Sequence, residues 1–153
     1  MSEAADRVQD LLEHVSAALG LEADVVMSEH DREIRGVLEG EDVALFIGRH
    51  GQTIDAVQHL AFKAATRGVP PSAGMRVVVD AAGYRERREA TLRRDADEAA
   101  EKAVTTGRPV ALDAMSATER KVVHEHLKDR GDVETYSEGT EPDRHLVVAP
   151  LSA

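Results

Sequence analysis

Two glycines, Gly48 and Gly51, frame a polar pair between the apolar run ALFI and the amphipathic stretch QTIDAVQHLAFKAA. Glycine has no Cβ, so the chain can turn sharply at both places and lay its backbone against a bulky neighbour. The stretch that follows repeats apolar residues at Ile54, Val57, Leu60, Ala61, Ala64 and Ala65, which is the spacing of one helix face. Gly68, Pro70 and Pro71 mark its end. The loop IGRHG therefore sits at the mouth of a helix, where amides lack intrahelical partners and the dipole presents its positive end, a setting that favours an anion. Arg49 and His50 are expected to project from the turn, with Ile47, Ile54 and Val57 lining an apolar wall beside it. A phosphodiester carrying a base matches that combination of surfaces. By itself G-x-x-G reads more readily as a plain turn in which Gly48 caps the preceding helical turn, so the flanking elements must decide.

Upstream, Val8, Leu11, Leu12, Val15, Ala18 and Leu19 recur at helical spacing over residues 4–19, and Gly20 follows where a left-handed cap belongs. Residues 21–27 and 33–38 both alternate apolar with polar side chains. The polar segment 28–31 between them predicts a hairpin. Residues 43–47 read as a single helical turn and 75–79 as a buried strand, giving the order α-β-β-α-α-β. Past Gly83, residues 84–106 predict a long, mostly solvated helix with a narrow stripe of Tyr84, Leu92, Ala96, Ala99 and Ala103, closed by Gly107 and Pro109. A strand over 109–112, a helix over 117–128 and two strand-like runs, VETYSEG and HLVVAP, complete the chain. Ser116 and Glu119 form a capping box that fixes the start of that last helix. The fold class is α+β, without internal repeats.

Charge narrows the function. The 29 acidic and 19 basic side chains leave a formal charge of −10, which excludes a protein that coats nucleic acid by bulk attraction. Residues 1–80 carry −7, residues 81–107 carry no net charge and residues 108–153 carry −3, so any anion site has to be local. With no cysteine there is no disulfide framework, thiolate metal site or cysteine nucleophile. That composition fits a reducing compartment, and a cytoplasmic location is expected. No basic segment followed by an apolar one opens the sequence, and no 18 apolar residues run together, so membrane insertion is not expected.

With its GRHG loop, the element order over residues 2–81 resembles the type II KH domain, in which a G-x-x-G loop clamps the backbone of about four nucleotides of single-stranded RNA. ERKVVHEHL places Arg120 and His124 four apart on one helix face. Together with Ser137, Glu138, Gly139 and Arg144 ahead of HLVVAP, this pair resembles the Arg-x3-His single-stranded nucleic-acid-binding domain. Both modules in this order are similar to the bacterial Jag proteins, also called SpoIIIJ-associated proteins, across nearly the whole chain. The resemblance implies two domains, a KH type II domain over 1–81 and a small Arg-x3-His α+β domain over 82–153 with a short, mainly antiparallel sheet. The second includes the connecting helix 84–106. It also implies a non-catalytic RNA-binding protein, with regulation after transcription and a link to cell-envelope or division control. Single-stranded DNA is an alternative ligand. A second small KH protein, or another copy of this chain, is an alternative partner in an adaptor role. Two departures stand out: Ala117 and Thr118 replace a bulkier pair ending in Tyr, and no separate N-terminal Jag domain precedes the KH module.

The expected RNA contacts are Ile47, Gly48, Arg49, His50, Gly51, Gln52, Ile54 and Val57 in the first module. In the second they are Arg120, Lys121, His124, Lys128 and Arg144. A helical Arg and His four apart can grip one phosphate, the Arg through its forked donors and the His through a donor that charges near neutral pH. The competing reading is an Arg paired with a nearby carboxylate. The run RERREATLRR, residues 85–94, is a solvated face or a secondary RNA track. His124 and His126 lie about 200 degrees apart around a helix and cannot share an ion, so neither metal nor other cofactor is expected. No phosphate-binding lysine loop, dinucleotide fingerprint or nucleophile elbow occurs, and no enzyme is expected. Aromatic side chains make up 3% of the chain, too few for a base-stacking platform but no obstacle to a backbone clamp.

Overall fold

Ser2 starts the fold by capping α1 (Glu3–Ala18): its Oγ accepts from the Ala5 amide at 3.2 Å and donates to Glu29 Oε1 at 2.7 Å. Those bonds tie the helix to β1 (Ala23–His30) and hold the Glu29 carboxyl below its ordinary pKa. The computed structural model describes residues 1–151, so the last two residues of the expected second module lie outside the described residues. β1 pairs antiparallel with β2 (Glu33–Gly40), from Ala23 opposite Gly40 to His30 opposite Glu33. The turn is thus Asp31 and Arg32 alone, with Asp31 at a left-handed φ of 53°. Residues 28–30, expected in the turn, belong to β1, because an edge strand can carry polar side chains towards water.

After α2 (Ala44–Ile47) and a short 3-10 turn comes α3 (Gln52–Ala65), followed by β3 (Arg76–Ala81). β3 runs parallel to β2, from Glu33 opposite Arg76 to Leu38 opposite Ala81, giving the strand order β1-β2-β3. The helices cover one face of this sheet. Val8 and Leu12 of α1, Phe46 of α2 and Ile54 of α3 meet Ile34, Leu38 and Val79 in a fully buried core.

The chain divides into two compact units, Met1–Arg85 and the remainder from Glu86. The break falls about one helical turn past the expected boundary, because α4 (Tyr84–Thr106) opens inside the first unit. Arg85 holds it there. Its amide donates to Asp80 Oδ1 at 3.1 Å, its Nε to the Val79 carbonyl at 3.1 Å and its Nη2 to Gln58 Oε1 at 3.0 Å. Its Nη1 pairs with Asp55. The buried Asp80 carboxylate also accepts from the Ala81 amide at 2.8 Å and pairs with Arg35 at 3.4 Å.

In the second unit, α4 buries Leu92, Ala96, Ala99, Ala100 and Ala103. β4 (Val110–Ala111), α5 (Ala117–Leu127), β5 (Val133–Glu138) and β6 (His145–Pro150) follow. The sheet order is β4-β6-β5, antiparallel throughout, and Val123, Leu127, Leu146 and Val148 close the core against α4. Glu119 has three tasks: its Oε2 accepts from the Ser116 amide, its own amide donates to Ser116 Oγ, and its Oε1 accepts from Arg88 Nε at 2.8 Å. The capping box thereby also pins α5 to α4.

Removing Arg85 would strand a buried carbonyl and leave Asp55 and Gln58 without their donor. Arg85→Met is expected to lower stability by about 2–3 kcal/mol, against about 0.5 kcal/mol or less for Arg94→Met on the exposed side of the same helix. Urea unfolding followed by circular dichroism checks the difference.

Candidate nucleic-acid interface

The backbone of the G-x-x-G loop shows why its glycines are there. Gly48 sits at φ 72°, ψ 179° and Gly51 at φ 76°, ψ 14°, regions that side chains disfavour. A Cβ on Gly48 would collide with Thr53 Oγ1, and one on Gly51 would collide with the Tyr84 hydroxyl and meet its ring at 2.9 Å. The bulky neighbour at Gly51 is therefore the chain's own Tyr84, and Gly51 is buried. Sequence reasoning left that position open to a ligand and gave Tyr84 no part in the loop.

Arg49 and His50 at the tip are exposed, with His50 at a left-handed φ of 55°. Neither side chain has a hydrogen-bond or ion-pair partner among the described residues. Gln52, exposed, opens α3, and no side chain caps that helix. Two unpaired basic side chains thus stand at the positive end of the α3 dipole, where the Gly51 and Gln52 amides donate to the Gly48 and Arg49 carbonyls.

The expected apolar wall is only partly there. Ile54 is fully buried and Val57 is 5% exposed, because the apolar face of α3 packs on the sheet and α1. Neither can touch a base. Ile47 is half-buried, and Leu45 beside it is 59% exposed, so accessible apolar surface lies in α2 instead. Leu60, counted with the buried face in the sequence, is 53% exposed: it sits one position off the Ile54, Val57, Ala61, Ala65 stripe.

In the second unit Arg120 departs from expectation. It is 9% exposed, on the same stripe of α5 as Val123 and Leu127. Its Nη1 donates to the Met115 carbonyl at 2.6 Å and its Nη2 to Glu141 Oε1 at 2.9 Å. The open phosphate grip shared with His124 is therefore absent, since the carboxylate of the β5–β6 connection occupies the outer donor. The signal was the spacing Arg120, Val123, Leu127, which puts all three on the buried side once the capping box sets the helix phase. His124 is exposed, and its Nδ1 lies 2.6 Å from Thr135 Oγ1 on β5. Lys121 is exposed with no hydrogen-bond or ion-pair partner among the described residues, whereas Lys128 pairs with Glu125 at 2.8 Å, which raises its own pKa and lowers that of the glutamate. Arg144 directly precedes β6 and donates from Nη1 to the Gly139 carbonyl at 2.7 Å.

The arginine run does not form an open track. Arg85 is committed to α3 and β3, Arg88 to Glu119, and Arg93 pairs with Glu89 at 3.2 Å. Among the described residues no group of three His, Asp or Glu side chains is placed to hold a metal ion, and no helix is long and apolar enough to cross a membrane.

Residues 5–80 match the profile of the KhpA/KhpB KH domain and residues 90–150 that of the Arg-x3-His domain. The chain belongs to the KhpB, or Jag, family. It is 34% identical over 146 residues to the RNA-binding protein KhpB of Clostridium symbiosum, covering 94% of this chain and 65% of that protein. To the RNA-binding protein KhpB of Lactiplantibacillus plantarum it is 39% identical over 140 residues, 92% of this chain and 43% of the relative. The RNA-binding protein KhpB of Bacillus subtilis is 34% identical over 140 residues, 90% and 66% of the two chains. The chain thus spans between 43% and 66% of the length of these KhpB proteins. Ala117 and Thr118, its departures from the family pattern, are both exposed in the first turn of α5 and offer little surface to a base.

Gly51→Ala is expected to cost about 2–3 kcal/mol, roughly 1 kcal/mol from the left-handed φ and the rest from the Tyr84 ring it would displace. Urea unfolding checks it, and a loss near 1 kcal/mol would show that the ring gives way freely.

Proposed function

We propose that this chain binds single-stranded RNA without catalysing a reaction on it, and that the strand's backbone enters at the loop Gly48 to Gly51. The observation that carries this reading is the exposure of Arg49 and His50, both without partners among the described residues, at the uncapped start of α3. Such a site can clamp a phosphodiester through two side chains and the helix amides while the protein as a whole stays acidic. Bases would rest on Leu45 and Ile47, the apolar groups left accessible beside the loop. His124 and Lys121 would hold a second stretch of strand at the Arg-x3-His unit, and engagement of both modules by one strand would multiply their separate affinities. The printed names of three KhpB relatives, each an RNA-binding protein, support this reading. The role that goes with it is cytoplasmic regulation after transcription, tied to cell-envelope or division control, and for that role the family resemblance is the support.

A second reading has its own observation. Leu60 on α3 is 53% exposed, an apolar side chain left open to another small KH protein or a second copy, in which case the chain acts as an adaptor and RNA contact is secondary.

Fluorescence anisotropy with a labelled single-stranded RNA of randomised sequence separates the two. Arg49→Asp with His50→Asp should weaken binding at least about tenfold, since two phosphate donors become repulsive, while the thermal melt stays within about 2 °C. Unchanged affinity would overturn the RNA reading. The wild-type salt slope should be shallow, roughly −2 to −3, the mark of about four neutralised phosphates on a single strand. A slope near −10, that of an extended basic surface, would contradict the clamp. Unlabelled single-stranded DNA as competitor reports the preference between the two nucleic acids.

A further inference from the structure

Arg120 is bound on two sides of very different character. Nη1 points inward to the Met115 carbonyl at 2.6 Å, a backbone group fixed by the fold. Nη2 meets Glu141 Oε1 at 2.9 Å, and the Glu141 side chain is 61% exposed against 10% for Arg120. A buried guanidinium cannot be left without an anionic or carbonyl partner, but it can exchange one for another. Carboxylate and phosphate present the same paired oxygens to it, and an ion pair whose acidic member lies this open to water is weakly held. The surroundings fit an anion. His124 lies one helical turn further along α5 and, with Nδ1 engaged by Thr135 Oγ1, keeps Nε2 without a partner among the described residues. Met115, whose carbonyl holds Arg120, donates its amide to the Arg144 carbonyl at 3.2 Å, so Arg144 comes in beside it with its Nη1 on Gly139.

We propose that Glu141 is an internal substitute for a phosphate: it occupies the outer donor of Arg120 and is displaced when an RNA strand brings a phosphodiester beside His124. The inference deepens the RNA-binding reading above and rests on it. Glu141 then sets the affinity of the Arg-x3-His unit, holding it low for isolated anions and releasing it to a strand whose neighbouring phosphates are already held.

Glu141→Gln isolates the effect, because the amide oxygen still accepts from Nη2 and the unit should keep its melting temperature, while the competing charge is gone. With the same randomised, labelled RNA, Glu141→Gln should tighten binding about threefold to tenfold and steepen the salt slope by roughly 0.7, one phosphate more on a single strand. Asp143→Asn removes a charge from the same connection without touching Arg120 and should change affinity less than about twofold. In an Arg120→Met background, the Glu141→Gln gain should vanish. Equal gains from Glu141→Gln and Asp143→Asn would overturn the proposal and leave only a general charge effect, as would an unchanged slope. If Arg49→Asp with His50→Asp abolishes binding while Glu141→Gln changes nothing, the Glu141 role alone falls. If no variant nor the wild-type chain binds RNA, the binding reading falls and takes this inference with it.

Discussion

The guanidinium of Arg85 reaches α3 through Asp55 and Gln58 and β3 through the Val79 carbonyl, and the placing of the G-x-x-G loop depends on it. A loop held only by its own turn would wander. Here the helix behind it is locked to the sheet by a cation on the next element, and Tyr84, one residue earlier, lays its ring against Gly51. The start of α4 thus serves as the back wall of the loop. Arg49 and His50 can be bare at the tip because everything beneath them is fixed, and a preorganised donor pair loses less entropy on binding than a floppy one.

Two arginines show how this acidic chain allots its cations. Arg49 is exposed, with no partner among the described residues; Arg120 is interior and held by a carbonyl and a carboxylate. With a net charge of −10, many basic side chains find an acid on the protein itself, as Arg88 finds Glu119 and Arg130 finds Asp132 and Glu101. The double pairing pushes the Arg130 pKa further upward and links the end of α5 to α4 through Glu101. What distinguishes a ligand-binding cation in such a protein is its availability, and net charge says nothing about that.

Much of the fold was legible because its punctuation is local. Gly83 before α4 and Gly107 with Pro109 after it bracket a helix that runs from Tyr84 to Thr106 as the sequence indicates, and the Ser116–Glu119 box places the start of α5 to the residue. The order of elements in the first unit follows from periodicity in the same way, whereas the parallel pairing of β3 with β2 does not. The hairpin turn misled because polar residues 28–30 belong to an edge strand, and composition does not separate a turn from an edge. Ile54 and Val57 misled for a different reason. Amphipathicity shows that a face is apolar but not what covers it, and here the chain's own sheet does. The Arg120–Glu141 pair spans two elements far apart in sequence, so only the tertiary fold brings it into view.

The alanine stripe of α4 carries one more consequence. Ala96, Ala99, Ala100 and Ala103 order no side-chain rotamers on burial but remove little oily area from water, so the second unit draws less cohesion from its interior than one built on leucine and phenylalanine. Its amides should accordingly exchange with deuterated solvent sooner than those around Leu12, Phe46 and Ile54, and each half of the chain would breathe on its own clock.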